Sequence, residues 1–262
     1  LLYDVPLSTL GPMEYTLLIL GVIAAVVVIG ACLQRISGMG LGLLGAPVLS
    51  LVLGPVVGVL IVNVLAAINA VFQSMALRKD IDWRQFLLLG PVMVIGAVPG
   101  AWVVHNMSTA VLQVLVGALV LIGLLVTTFI PKQAAVTGTS FAMGSGAAAG
   151  FMNTLAGIAG PALTVYAQAS RWSQNSFRAT LQPLFFFAAF VSVLVKETSA
   201  DHMVLPDVPG SVWIIGIVCM LIGLWAGTKL SGYVSAANAR KVAMTLAVAG
   251  AVITLVRGLV LL

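Results

Sequence analysis

Apolar residues fall in long blocks separated by short polar turns, and each block approaches the roughly 20 residues a helix needs to cross a hydrocarbon core. In the first half the blocks run from Met13 to about Gln34, Val56 to Leu77, Gln85 to Val104 and Ala110 to Ile130. In the second they run from Thr139 to Asn153, Ala179 to Val195, Ser211 to Thr228, and Val242 to the end of the chain. A shorter apolar run follows the first block of each half, Leu43 to Leu53 and one that reaches Ala169. The turns at 78–84, 105–109, 171–178, 196–209 and 231–241 are polar or charged. The pattern predicts an all-α integral membrane protein with about eight full transmembrane helices plus two broken or short segments.

Composition narrows the class. Hydrophobic residues make up 61% of the chain and charged residues 7%, against about a quarter charged in a soluble domain. Such a chain cannot cover its own surface in water, so its surroundings are a lipid bilayer and no separate soluble domain is expected. The net charge of +5 is small and dispersed, which argues against nucleic acid; the basic residues instead report sidedness. Cys32 and Cys219 lie in apolar runs without redox or metal spacing, and His105 and His202 stand alone, so neither a metal nor a cofactor is expected. No cleavable signal pattern with a basic start and a small-residue cleavage site is present.

Two stretches break the apolar pattern. Arg35-Ile36-Ser37-Gly38-Met39-Gly40-Leu41-Gly42-Leu43-Leu44-Gly45-Ala46-Pro47 is too rich in glycine for a settled helix and too apolar for a surface loop. Each interior glycine costs a helix about 1 kcal/mol relative to alanine. Asn153-Thr154-Leu155-Ala156-Gly157-Ile158-Ala159-Gly160-Pro161 repeats the theme in the second half. Both read as helices interrupted inside the membrane, near 38–47 and 153–161.

The matching order of elements points to a duplication, with residues 1–132 as the first repeat and 133–262 as the second. A shift of 127 lays Gly96, Gly100, Ser108 and Gly123 on Gly223, Gly227, Ser235 and Gly250; a shift of 119 lays Gly38 on Gly157 and Asn63 on Gln182. Each half holds five segments, and an odd count inverts the second half. With the N-terminus outside, inversion puts Arg78, Lys79, Arg84, Lys132, Arg171, Arg178, Lys229, Arg240 and Lys241 on or near the cytoplasmic side, as basic residues prefer. Lys196 and Arg257 are the exceptions. Whether each broken pair crosses fully or dips in and returns stays open at this point.

Backbone groups inside lipid need partners, so an interrupted helix belongs against protein or a water-lined cavity. A restarted helix presents free N–H groups and the positive end of its dipole, which together favour an anion. The candidate substrate-binding residues are Arg35, Ser37, Gly38, Gly40, Gly42, Asn63, Asn153, Thr154, Gly157, Gly160 and Gln182. Competing structural roles exist for several: Arg35 can snorkel to the interface, the glycines can serve close helix packing, and Asn69 and Gln73 can bond between helices. No Asp or Glu falls in the interior of any span, which disfavours a carboxylate proton relay. An exported anion needs none, since one negative charge leaving a negative cytoplasm gains about 2.3 kcal/mol per 100 mV. Leucine at Gly38, Gly40 or Gly157 is expected to stop transport without unfolding the protein.

Gly38-Met39-Gly40-Leu41-Gly42 with Pro47, and Gly157-Ile158-Ala159-Gly160-Pro161, resemble the two half-motifs of the sulfite exporter TauE/SafE family of membrane transporters. The Arg78–Arg84 loop with Ile81-Asp82-Trp83, followed by Gly96 and Gly100, is also similar to that family. The resemblance spans nearly the whole chain. It implies export of sulfite, sulfoacetate, related sulfonates or small organic acids across the bacterial inner membrane, by alternating access around a midplane anion site. The alternatives are an anion channel or uniporter for small organic acids, an intramembrane enzyme (for which no nucleophile, metal cluster or acid pair is visible) and a structural subunit. Expected partners are the small anion and the bilayer, with a homodimer left open.

Overall fold

A computed structural model describes residues 12–129, 138–199 and 203–262. Their regular structure is entirely helical, in ten α-helices: α1 (Pro12–Ser37), α2 (Leu41–Leu53), α3 (Pro55–Leu77), α4 (Trp83–Asn106), α5 (Thr109–Phe129), α6 (Thr139–Ala156), α7 (Gly160–Ala169), α8 (Gln174–Ser199), α9 (Gly210–Leu230) and α10 (Ala236–Val260). Seven are long and apolar enough to span a bilayer. The eighth long helix, α6, has 18 residues, about 27 Å at 1.5 Å per residue, but a glycine- and alanine-rich composition. The two short helices, α2 with 13 residues and α7 with 10, cover about 20 Å and 15 Å. Neither is long enough to cross alone.

Local chemistry sets the helix ends. Asp82 caps α4 by accepting from the N–H groups of Arg84 and Gln85 at 3.0 and 3.1 Å, and Ser235 caps α10 from Asn238 N–H at 3.2 Å; such caps satisfy donors that have no carbonyl one turn back. Pro55 opens α3, where its missing N–H costs nothing. The protein is a multi-pass membrane protein, and its outer surface is apolar to match. Ile214, Trp225 and Val256 are 67%, 66% and 53% exposed, which only lipid makes comfortable.

Lipid is as apolar as the core, so helix association relies on close packing. α4 lies on α6 and α1 on α9, while α5 pairs with α10 and α3 with α8. The first two pairings are glycine contacts. A methyl group at Gly96 would strike the Ala147 carbonyl, and one at Gly100 would meet Thr154 at 3.0 Å and the Phe151 carbonyl at 3.2 Å. On the other side, a methyl at Gly223 would sit 2.5 Å from the Val28 carbonyl, and one at Gly227 would sit 2.7 Å from the Cys32 carbonyl and from Arg35 Cβ. A shift of 127 takes Gly96 and Gly100 to Gly223 and Gly227, and one of 119 takes Val28, Cys32 and Arg35 to Ala147, Phe151 and Thr154.

Several sequence-based boundaries move. The first interruption is three residues long, Gly38 to Gly40, and Gly42, Gly45 and Pro47 lie inside α2. The second covers residues 157–159; Asn153 and Thr154 belong to the last turns of α6, and Gly160 and Pro161 open α7. The polar turn before α8 ends at Ser173 rather than Arg178, and α8 continues through Lys196 to Ser199. The proposed repeat boundary near Lys132, and Asp201 and His202, lie outside the described residues.

Candidate functional site

The two breaks are built alike. Each begins as its long helix ends on a glycine in the left-handed region, Gly38 at φ +87° and Gly157 at φ +66°. An L side chain rarely adopts that conformation. The N–H of each glycine returns to the carbonyl four residues back, Gln34 and Asn153, at 2.8 Å in both cases. The Ser37 hydroxyl lies 2.8 Å from the Leu33 carbonyl and 2.7 Å from the Met39 carbonyl, which steadies the first break. The breaks touch: a methyl group at Gly42 would come 2.5 Å from the Gly157 carbonyl, and one at Gly160 2.8 Å from Met39 Sδ.

Between them lies a cavity of about 30 Å³, room for about two waters. Gly40, Gly42 and Leu43 from the start of α2, and Ala159 and Gly160 from the start of α7, form two of its walls. Two helix N-termini therefore meet across one small hollow. The first-turn N–H groups of Gly42 and Leu43 have no carbonyl within α2, whose first backbone bond of this kind runs from Leu44 to Gly40 at 2.9 Å. The side-chain polar groups on the cavity are the amides of Gln34 and Asn153, and among the described residues no charged side chain lines it. An anion held here would be held by dipoles and uncharged N–H donors.

Each lining amide is tied to an amide of the opposite half. Asn153 Nδ2 donates to Asn63 Oδ1 at 2.9 Å, and Asn63 Nδ2 donates to Ser192 Oγ at 3.0 Å. Gln34 Nε2 donates to Gln182 Oε1 at 3.4 Å, while Gln182 Nε2 reaches the Gly38 carbonyl at 3.2 Å. Gln34 Oε1 also accepts from Leu41 N–H at 3.0 Å, so this side chain bridges the break from one helix to the next. All four amides are buried. The 119-residue shift that aligns the breaks also carries Gln34 onto Asn153 and Asn63 onto Gln182.

Of the residues the sequence singles out, Gly40, Gly42, Asn153, Gly157 and Gly160 line the cavity. Asn63, Gln182 and Gly38 stand directly behind it, through the bonds just given. Ser37, Thr154 and Arg35 do not line it. Thr154 is fully buried against Gly100, and its hydroxyl has no partner among the described residues. Arg35 points away, with Nε donating to Thr228 Oγ1 at 3.0 Å, and its carbonyl accepts from Arg178 Nη2 at 2.7 Å. Asn69 and Gln73 are buried without hydrogen-bond partners among the described residues; they share a helix face with Ala66, which lines the cavity.

Leucine at Gly40 would not be silent for folding: even a methyl there would sit 2.6 Å from the Gln34 nitrogen and from the Gly30 carbonyl. Two further residues escape a reading of the sequence alone. Gln34 sits at the end of an apolar block, but its register with Asn153 marks it. Lys196 is buried in α8, one turn past Ser192, and its ammonium has no partner among the described residues. A buried unpaired charge is strongly unfavourable. Lys196→Met should therefore raise the thermal midpoint of the purified protein, equivalent to about 1 kcal/mol or more; a lowered midpoint would show that the ammonium is compensated.

No curated protein matches the chain, and no solved structure does. A family model does match, over residues 22–254: sulfite exporter TauE/SafE. The matched stretch contains both breaks, all four amides and every residue that lines the cavity. The chain accordingly belongs to the sulfite exporter TauE/SafE family of membrane transporters.

Proposed function

We propose that the protein is a secondary transporter that exports a small anion, sulfite or an organosulfonate such as sulfoacetate, by alternating access around the cavity between the two breaks. One observation carries this reading. Two helix N-termini and two cross-linked amide pairs converge on a hollow with no fixed charge, an environment suited to a compact oxyanion. Gly40, Gly42, Gly157, Gly160, Gln34 and Asn153 would contact the anion. Asn63, Gln182 and Gly38 would position those contacts, and Ser37 and Thr154 would support the broken helices. Arg35 would act at the membrane interface.

The same reading makes residues 1–132 and 133–262 inverted repeats. Its support is the exchange symmetry of the contacts: α4 on α6 answers α1 on α9, α2 on α10 answers α5 on α7, and the glycine and amide contacts correspond residue by residue. Transporters with inverted repeats place their sites where the repeats meet, and alternate by moving one unit against the other. The basic residues fit a bacterial inner membrane with α4–α5 and α9–α10 in opposite senses. Purified protein in proteoliposomes should exchange radiolabelled sulfite with saturation, and sulfoacetate should compete. Flux that rises linearly without saturation would favour an anion channel, and no flux at all would remove the export reading.

A further inference from the structure

We propose that a second anion site lies outside the first, in a wide vestibule at the end of α7, and that Arg171 and Arg240 receive the oxyanion there before it enters the central cavity. This rests on the transporter reading above and adds to it a port of entry and the residues that serve it.

The vestibule has a volume of about 380 Å³, more than ten times that of the central cavity, and its walls include Thr164, Gln168, Arg171, Trp172, Gln174 and Arg240. Among the described residues no acidic side chain lines it. The guanidinium groups of Arg171 and Arg240 make no ion pair or hydrogen bond among the described residues, which leaves their donors for a ligand. Guanidinium groups match oxyanions in shape as well as charge.

The vestibule leads inward. A narrower space of about 10 Å³ shares Thr164 and Arg240 with it, and shares Met39 and Leu43 with the central cavity. Thr164 Oγ1 and Met39 Sδ face each other across that neck at 3.7 Å. Arg240 thus borders both the wide space and the neck. An anion would pass from two free arginines, by way of Arg240, to a cavity that offers amides and backbone N–H groups. On the sidedness argued above, the vestibule faces the cytoplasm, from which an exporter must load.

Arg171 carries a second, independent mark. Among the described residues it is the one non-glycine in the left-handed region, at φ +53°. It follows the end of α7, where Trp172 N–H returns to the Ala167 carbonyl at 3.0 Å and closes a turn that ordinarily ends in glycine. An L side chain held there is strained, and strained positions are kept where the side chain has work to do.

The test is sulfite uptake into inside-out membrane vesicles, with the cytoplasmic face outward, for wild type, Arg171→Gly, Arg240→Gln and Arg240→Lys. Arg171→Gly and Arg240→Gln should each raise KM about tenfold, as for loss of a charge-assisted hydrogen bond, with the change in KM rather than kcat. Wild-type KM should rise with inert salt, and each charge-removing variant, which keeps the other arginine, should weaken that dependence; Arg240→Lys should keep it. Arg171→Gly should also unfold at a higher temperature than wild type, which separates lost recognition from lost folding. Wild-type KM and salt dependence in both charge-removing variants would overturn the vestibule site and leave the transporter reading standing. Absence of saturable uptake by the wild type would overturn the transporter reading itself.

Discussion

Alanine at Gly42 should reduce sulfite transport at least tenfold, and by more than alanine at Gly160 does. Both glycines line the same cavity, and the difference lies in what a new methyl group would meet. At Gly42 it would lie 2.5 Å from the Gly157 carbonyl oxygen, a backbone atom fixed by the left-handed turn of the second break. At Gly160 it would lie 2.8 Å from the sulfur of Met39, the far end of a flexible side chain that can move aside. Helix propensity opposes the first effect, since alanine is better than glycine by about 1 kcal/mol inside a helix. Overpacking against backbone costs about 1–3 kcal/mol or more, so the wedge outweighs the gain and drives the two breaks apart. Initial rates in proteoliposomes, with thermal midpoints measured alongside, check both variants. Equal rates for Gly42→Ala and Gly160→Ala would show that contact between the breaks is irrelevant to transport.

Much of this architecture is legible in the chain itself. The spacing of apolar blocks marks the long helices, because membrane thickness leaves little freedom in their length. The glycine pairs at 38–40 and 157–160 locate the interruptions, because left-handed backbone at Gly38 and Gly157 needs residues without a Cβ. The extent of the first break is less legible. Gly42, Gly45 and Pro47 look like breakers, yet they sit inside α2. Tertiary contacts override propensity there: Gly42 admits the Gly157 carbonyl, and the Pro47 carbonyl accepts from Thr254 Oγ1 of α10 at 3.1 Å. Register pairs Asn63 with Gln182, and Asn153 stands at the second break itself; Gln34 is the residue that the same shift of 119 lays on Asn153.

The two basic residues that defy the sidedness pattern have physical explanations that no one-dimensional count contains. Arg257 donates to the Leu51 carbonyl at 2.5 Å, near the C-terminal end of α2, where a cation complements both the free carbonyls and the helix dipole. Lys196 is enclosed within the bundle at 3% exposure, so it does not report loop charge at all. Arg35 shows the converse. Its position next to the break suggests attraction of the anion, but a side chain in the last turn of α1 can equally reach outward, and its bond to Thr228 takes it away from the cavity. Sequence places a residue on an element; which face wins depends on the neighbours.

The sharpest change to the proposed site itself is Asn153→Asp. The substitution keeps size and shape but removes the Nδ2 donor to Asn63 Oδ1, and an ionised carboxylate replaces an amide on the wall of the cavity. Two like charges 4 Å apart repel by about 4 kcal/mol at an effective dielectric near 20, which is several hundred-fold or more in affinity. Alkaline buffer favours the ionised carboxylate. The decisive measurement is calorimetric titration of sulfite into purified wild type and Asn153→Asp under that condition. The account predicts saturable binding to wild type and a loss of at least a hundred-fold in the variant; equal affinity in the two proteins would place the anion somewhere other than between the breaks.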